Sequence, residues 1–275
     1  MRRALIVFTL AQFFAASSSA HDFWLEPERF MLTEPDRIEV RAQVGHAGDV
    51  GEWPADPGRV TALRLVSDSG ITDVQNELAS RQSAGRFNLT IAQPGVNVLA
   101  LESNGAVSEL PAAVFNDYLE EEGLTPIARH RAAERLNDAV GREVYSRRAK
   151  AILVSGALPD GGCNTKTLTP IGMTLEITPL VLPACISPGD NLPIEVRYRG
   201  TPLAGATVHL VRLGADGGDA GKWLTGAKGL VSIPHPGPGN WMLQTVWSSP
   251  LTGDPRGDYD TVFSSLSFGL GTDGP

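Results

Sequence analysis

The stretch His21-Asp22-Phe23-Trp24-Leu25-Glu26-Pro27 carries the most distinctive chemistry of the chain because of what precedes it. Arg2 and Arg3, an apolar run from Ala4 to Ala16, and Ser17-Ser18-Ser19-Ala20 follow the order of a secretory leader. Ser18 and Ala20 suit the minus-three and minus-one positions, so cleavage would leave His21 as the first residue. The apolar run is too short to span a bilayer, and no Cys follows the cut, so no membrane anchor is expected afterwards. An N-terminal histidine is a chelator in itself. Its α-amine, with an ordinary pKa of about 7.7–8.0, and its imidazole Nδ1 can hold one ion between them. Nitrogen donors of this kind suit Ni2+, Co2+, Cu2+ or Zn2+ better than Mg2+ or Ca2+.

One residue is not a coordination sphere. Further donors are expected in the glycine-punctuated loop that follows Val44, where His46, Asp49 and Glu52 stand close in sequence. Such a loop could bring His46 to His21, or His46 could simply hydrogen-bond its own loop; the sequence leaves both open. His130 falls in a basic region, His209 alternates out of step with Val208 and Leu210 and so reads as solvated, and His235 sits in a proline-rich turn. Cys163 and Cys185 are the only cysteines and read as one disulfide of an oxidising compartment. There is no Gly-x-Ser-x-Gly elbow, no His-Glu-x-x-His and no phosphate loop, so the chain does not read as an enzyme.

Acidic residues outnumber basic ones by 31 to 23, and losing Arg2 and Arg3 with the leader takes the net charge from −8 to −10. That balance argues against nucleic acid as a partner. With 30 glycines and 20 prolines between short alternating apolar runs, the chain reads as turn-rich and mostly β. Ile38, Val40, Ala42 and Val44 make one face of a strand. Further strands are expected at 60–66, 87–91 and 96–101, and then at 175–178, 192–198, 206–213, 229–233, 241–247 and 261–268. Gly85 to Pro94-Gly95 and Gly229 to Pro238-Gly239 repeat one spacing, as two related sandwiches would. Between them, Asn116 or Asp117 is placed to cap a short helix that ends at Gly123. Thr125-Pro126 then opens a second, and Ile127, Leu136, Val140, Val144, Ala149 and Ile152 approximate a helical stripe. The basic residues Arg129, Arg131, Arg135, Arg142, Arg147, Arg148 and Lys150 would form a solvated helix face or a docking surface.

The expected organisation is therefore a leader at 1–20, an N-terminal sandwich at 21–157 with a helical insertion at 115–154, a C-terminal sandwich at 158–268 and a loose tail at 269–275. Several segments together resemble one family: His21 to Pro27, Val44-Gly45-His46, Tyr118 to Leu124, Glu143 to Ala151, Gly172 to Pro179 and Ser187-Pro188-Gly189-Asp190. The chain is similar to the bacterial periplasmic domain-of-unknown-function 4198 family, often labelled NikM-like, a periplasmic component of nickel/cobalt uptake. That resemblance implies Ig-like and carboxypeptidase-regulatory-like β-sandwiches, a periplasmic location, a bound transition metal ion (Ni2+, Co2+ or Cu2+) and an inner-membrane metal transporter as partner. Gly226, where that module usually carries an acid after Thr225, speaks against a Ca2+ turn. Three functions remain open: a metal carrier, a metal-free envelope interaction module, and a copper oxidase with a histidine brace at His21 and His46.

Overall fold

The structure, a computed structural model, describes residues 22–46, 49–80, 83–158, 162–214 and 217–271. The expected leader, His21 and residues 272–275 of the expected tail lie outside the described residues. The first part of the chain contributes β1 (Asp22–Pro27), β2 (Met31–Leu32), β3 (Asp36–His46), β4 (Asp49–Glu52), β5 (Val60–Ser67), β6 (Gly70–Asp73), β7 (Arg86–Ile91), β8 (Gly95–Ser103) and β9 (Ala106–Leu110). Two helices follow, α1 (Ala112–Glu121) and α2 (Thr125–Ala133), and then the long strand β10 (Gly141–Ser155). The remainder forms β11 (Leu175–Pro179), β12 (Asn191–Tyr198), β13 (Thr201–Pro202), β14 (Thr207–Arg212), β15 (Gly218–Leu224), β16 (Leu230–Pro234), β17 (Gly239–Pro250) and β18 (Tyr259–Leu270).

One ten-stranded sheet runs through both halves in the order β15-β14-β17-β18-β10-β8-β5-β6, with β2 and β9 also paired to β10. Its two halves are joined by a parallel pairing of β10 with β18, from Glu143↔Tyr259 to Ala151↔Ser267. A small sheet of β1, β3, β4 and β7 covers one face, and a second of β11, β12, β13 and β16 covers the other. The fold is thus mostly β, two sandwiches sharing a sheet, with the helices inserted between the two halves of the sequence.

Side-chain alternation explains how one sheet serves two cores. From β10, Ala149, Ala151 and Leu153 join Leu99 and Leu101 of β8 beneath Phe23, Leu25, Ile38, Val40, Phe87 and Leu89. Their neighbours Ile152, Val154, Val96 and Val98 point the other way, to Leu175, Ile177, Ile194 and Val196. The helices occupy the first face too, where Phe115, Tyr118, Leu119 and Ile127 pack on Val246, Tyr259 and Phe263. Gly141 makes that possible, because a Cβ there would fall 2.1 Å from the Phe115 ring.

Helix therefore ends far earlier than the expected 115–154. The spacing of four between Leu136, Val140 and Val144 satisfies a two-residue period as well as a helical one, and the apolar run Ala151–Val154 belongs to a strand buried on both faces. Arg135 adopts a left-handed φ of 57°, which turns the chain out of α2. Asn116 does not cap: α1 starts behind Pro111, and Asn116 instead bonds Arg131 and the Asn137 carbonyl. The supposed basic helix face is dispersed. Arg131 is buried over Phe115, Arg147 lies 4.8 Å from the Tyr145 ring, and Arg148 pairs with Glu102. Strand β18 runs to Leu270, so Gly269 and Leu270 are not tail. Cys163 and Cys185 are joined, with Cys185 packed on the core beneath the β11–β12 sheet.

Lys150, on β10, points into that second core and donates to Glu176 Oε1 at 2.9 Å. Burial lowers the Lys150 ammonium from its ordinary value. Glu176 also accepts the amides of Ile171, Gly172 and Met173. Replacing Glu176 with Leu leaves a buried cation and three amides unpaired and is expected to cost about 3–5 kcal/mol. Lys150→Met leaves the amide bonds in place and should cost less; urea midpoints of the two variants check the order. Glu143, buried beside Thr261, has its carboxyl raised by burial to about 7, with the Thr261 hydroxyl opposing the rise. The folded state then binds more protons than the unfolded one between about pH 4.5 and 7, so this group's stabilisation is lost as pH rises through that window. Glu143→Gln should flatten the decline, read as melting temperature against pH.

Candidate functional site

The register of β1 against β3 sets Asp22 opposite Gly45, one residue from His46. His46 does not lie in a loose loop. It ends β3 and faces Asp49 across the hairpin to β4. Its Nδ1 is 3.8 Å from Asp22 Oδ2. The neighbouring Asp22 carboxylate raises the His46 imidazole above its ordinary value against the effect of burial, and Glu121 and Glu122 add to the rise.

Those two glutamates arrive from α1. Its last turn ends at Glu121, and Gly123, with φ of 67°, turns the chain towards α2. A Cβ on Gly123 would fall 2.1 Å from Thr207 Oγ1, so the turn rests directly on β14. Glu122 is thereby pressed into the protein, 6% exposed, with Oε2 3.8 Å from His209 Nε2. Both atoms are buried without a hydrogen-bond partner. Burial, then Asp22 and Glu121, raise the Glu122 carboxyl to about 8, while Lys222 and His46 pull it down. Burial lowers the His209 imidazole, and Lys222 lowers it further.

His209 is 5% exposed, not solvated as its alternation with Val208 and Leu210 implied. The face opposite the second core is covered here by α1 and β1, which a strand pattern alone does not reveal. Across neighbouring strands, Lys222 of β15 lies opposite His209, His209 opposite Gln244 of β17, and Gln244 opposite Ser265 of β18. Directly paired residues share a face, so these four form a polar row across the sheet. Gln244 and Ser265 are buried. The row is the floor of the site, with Asp22, His46 and Glu122 as its walls. A cavity of about 30 Å3 adjoins it, lined by Asp22, Trp24, Gly45, His46, Val211 and Met242 among others.

Of the four residues expected to bind metal, His21 lies outside the described residues and His46 is at the site. Asp49 sits opposite His46 on the exposed hairpin. Glu52 is elsewhere, opposite Gln43, and accepts bonds from Ser83, Gly85 and Arg86. The disulfide lies on the other face of the sheet. Asp22 and Glu122 are not singled out as ligands by the sequence, and His209 is assigned by it to a solvated face. The usable signal was Glu122 before Gly123, a carboxylate at a helix C-terminus, where a cation is the ordinary choice. Among the described residues, no group of three or more His, Cys, Asp or Glu is assembled closely enough to hold a metal by itself.

Residues 18–249 match the model of a family described as a domain of unknown function, DUF4198. No curated protein matches the chain. A solved structure described as "Crystal structure of tetra-tandem repeat in extending region of large adhesion protein" is 11% identical, with a TM-score of 0.21. The similarity covers 90% of this chain and 49% of that one, so the chain spans about half its length. No helix among the described residues is long and apolar enough to cross a membrane.

Because Gly123 seats Glu122, Gly123→Ala should lower the urea midpoint by displacing the turn from β14. Thr207→Ala, which removes the first atom met, should restore part of the loss; the φ strain remains. No recovery in the double variant would show that the turn does not rest on Thr207.

Proposed function

The chain belongs to the DUF4198 family, and on that footing we propose that it is a periplasmic protein that binds a divalent transition ion, Ni2+, Co2+ or Cu2+, and passes it to an inner-membrane transporter. The donors are His209 Nε2, Glu122 Oε2, the His46 imidazole and, after removal of residues 1–20, the amine and imidazole of His21. His21 is bonded to Asp22, whose carboxylate is already beside His46.

One observation carries this reading. His209 Nε2 and Glu122 Oε2 are buried, lack hydrogen-bond partners and face one another at 3.8 Å. Buried polar atoms normally find partners, and two that face each other without bonding leave room for a third party. Metal–nitrogen and metal–oxygen bonds of about 2.0–2.2 Å span roughly 4.2 Å when the ion is on the line between them and less when it lies off it. A cation there would also offset the cost of placing Asp22, Glu121 and Glu122 together. The metal-free interaction module has a groove of about 550 Å3 in its favour, bordered by Glu120, Arg129, Lys222, Leu224 and Trp247, and it requires no ion.

Titration of the form beginning at His21 with Ni2+, Co2+ and Cu2+ tests the reading. His209→Ala and Glu122→Gln are each expected to weaken binding at least about tenfold, some 1.4 kcal/mol. An extra residue before His21, which turns the amine into an amide, should do the same while the circular dichroism spectrum stays unchanged. Asp49→Ala and His235→Ala should have little effect. Absence of binding, or equal affinity in all variants, would favour the interaction module.

A further inference from the structure

We propose that the ion this site retains best is copper in its reduced state, Cu(I), with the Met242 thioether as a donor. The inference rests on the metal-binding reading and narrows it to one ion.

Met242 belongs to β17, two residues before Gln244, and therefore lies on the same face as the polar row. It is 1% exposed and sits opposite Val211, one step along β14 from the His209 pair on that face. Its side chain lines the cavity of about 30 Å3 that Asp22 and His46 also border, space for one ion or one water. Arg212 borders this cavity as well, with its guanidinium drawn to 5.7 Å from the Trp241 ring.

Donor chemistry separates the ions. Imidazole serves Ni2+, Co2+ and Cu2+ alike, whereas a thioether is a soft ligand that selects Cu(I). Thiolates are not available to compete, because Cys163 and Cys185 are bonded to each other. Of the other methionines described, Met31 is on the surface, and Met173 lies in the loop whose amide holds Glu176. Met242 is thus the soft donor beside the imidazoles. Its unbranched chain gives the sulfur torsional freedom beside the cavity that His46 also lines. Leucine would fill the same volume at little cost to packing, so Met242→Leu isolates the sulfur.

The test uses the form beginning at His21, anaerobic, with ascorbate as reductant so that the disulfide stays closed, and bicinchoninate as competitor for Cu(I). Met242→Leu should lower Cu(I) affinity at least tenfold and change Ni2+ affinity less than twofold. X-ray absorption of the copper-loaded wild-type protein should show a sulfur neighbour that is lost in the variant. The spectrum of the wild-type protein stands whether or not the variant folds. Nickel binding by the wild-type protein with no sulfur neighbour to copper, or with Cu(I) affinity indifferent to Met242→Leu, overturns this inference alone. Binding of neither ion overturns it together with the metal reading.

Discussion

The parallel pairing of β10 with β18 is the constraint on which the rest of the molecule depends. Parallel strands cannot be joined by a tight turn, and here the crossover between them includes the β11–β12 sheet and the strands β14 to β17. Once those strands are paired, β10 is buried on both faces, and every covering layer must fit it. Ala149 and Ala151 are small enough for β1 to lie close, so that Ser267 of β18 donates to the Leu25 carbonyl. Lys150, between them on the opposite face, ties the strand to Glu176 in the second small sheet.

The candidate site is a by-product of that layering. Where β1 and the α1–α2 turn meet over the polar row, neither covers the sheet with apolar side chains, and Asp22, His46, Glu122 and His209 fill the seam. Burial is the main cause of the opposed shifts of Glu122, raised, and His209, lowered, with the charges of Asp22, Glu121 and Lys222 acting on both.

Much of the β architecture was legible because half-buried strands write their burial in a two-residue period. The strand that includes Ile38 to Val44 and the strands near residues 87–91, 192–198 and 241–247 fall where alternation put them. β10 was not, because a strand buried on both faces loses its alternation and its apolar run reads equally well as helix. The site was half legible. His46 could be picked out by type and position, but its hairpin partner Asp49 and the Glu52 tether are matters of register. His209 looked solvated for the same reason that β10 looked helical: what covers a face is decided by distant segments. Glu122 and His209 are far apart in sequence and meet only because Gly123 lets the turn sit on Thr207.

Seen as a folding problem, the β10–β18 pairing has a further consequence. Ser267 meets Leu25 across a sequence separation of 242 residues, and the strands that hold His209 and Gln244 are hydrogen-bonded into the sheet with β10 through residues 259–270. Contacts of such high order form late, after the local hairpins and the helix pair. The polar seam is complete only when β14, β17 and β18, which carry His209, Gln244 and Ser265, have joined β1 and the α1–α2 turn. A probe of this seam would therefore report completion of the whole fold and not of one half of it.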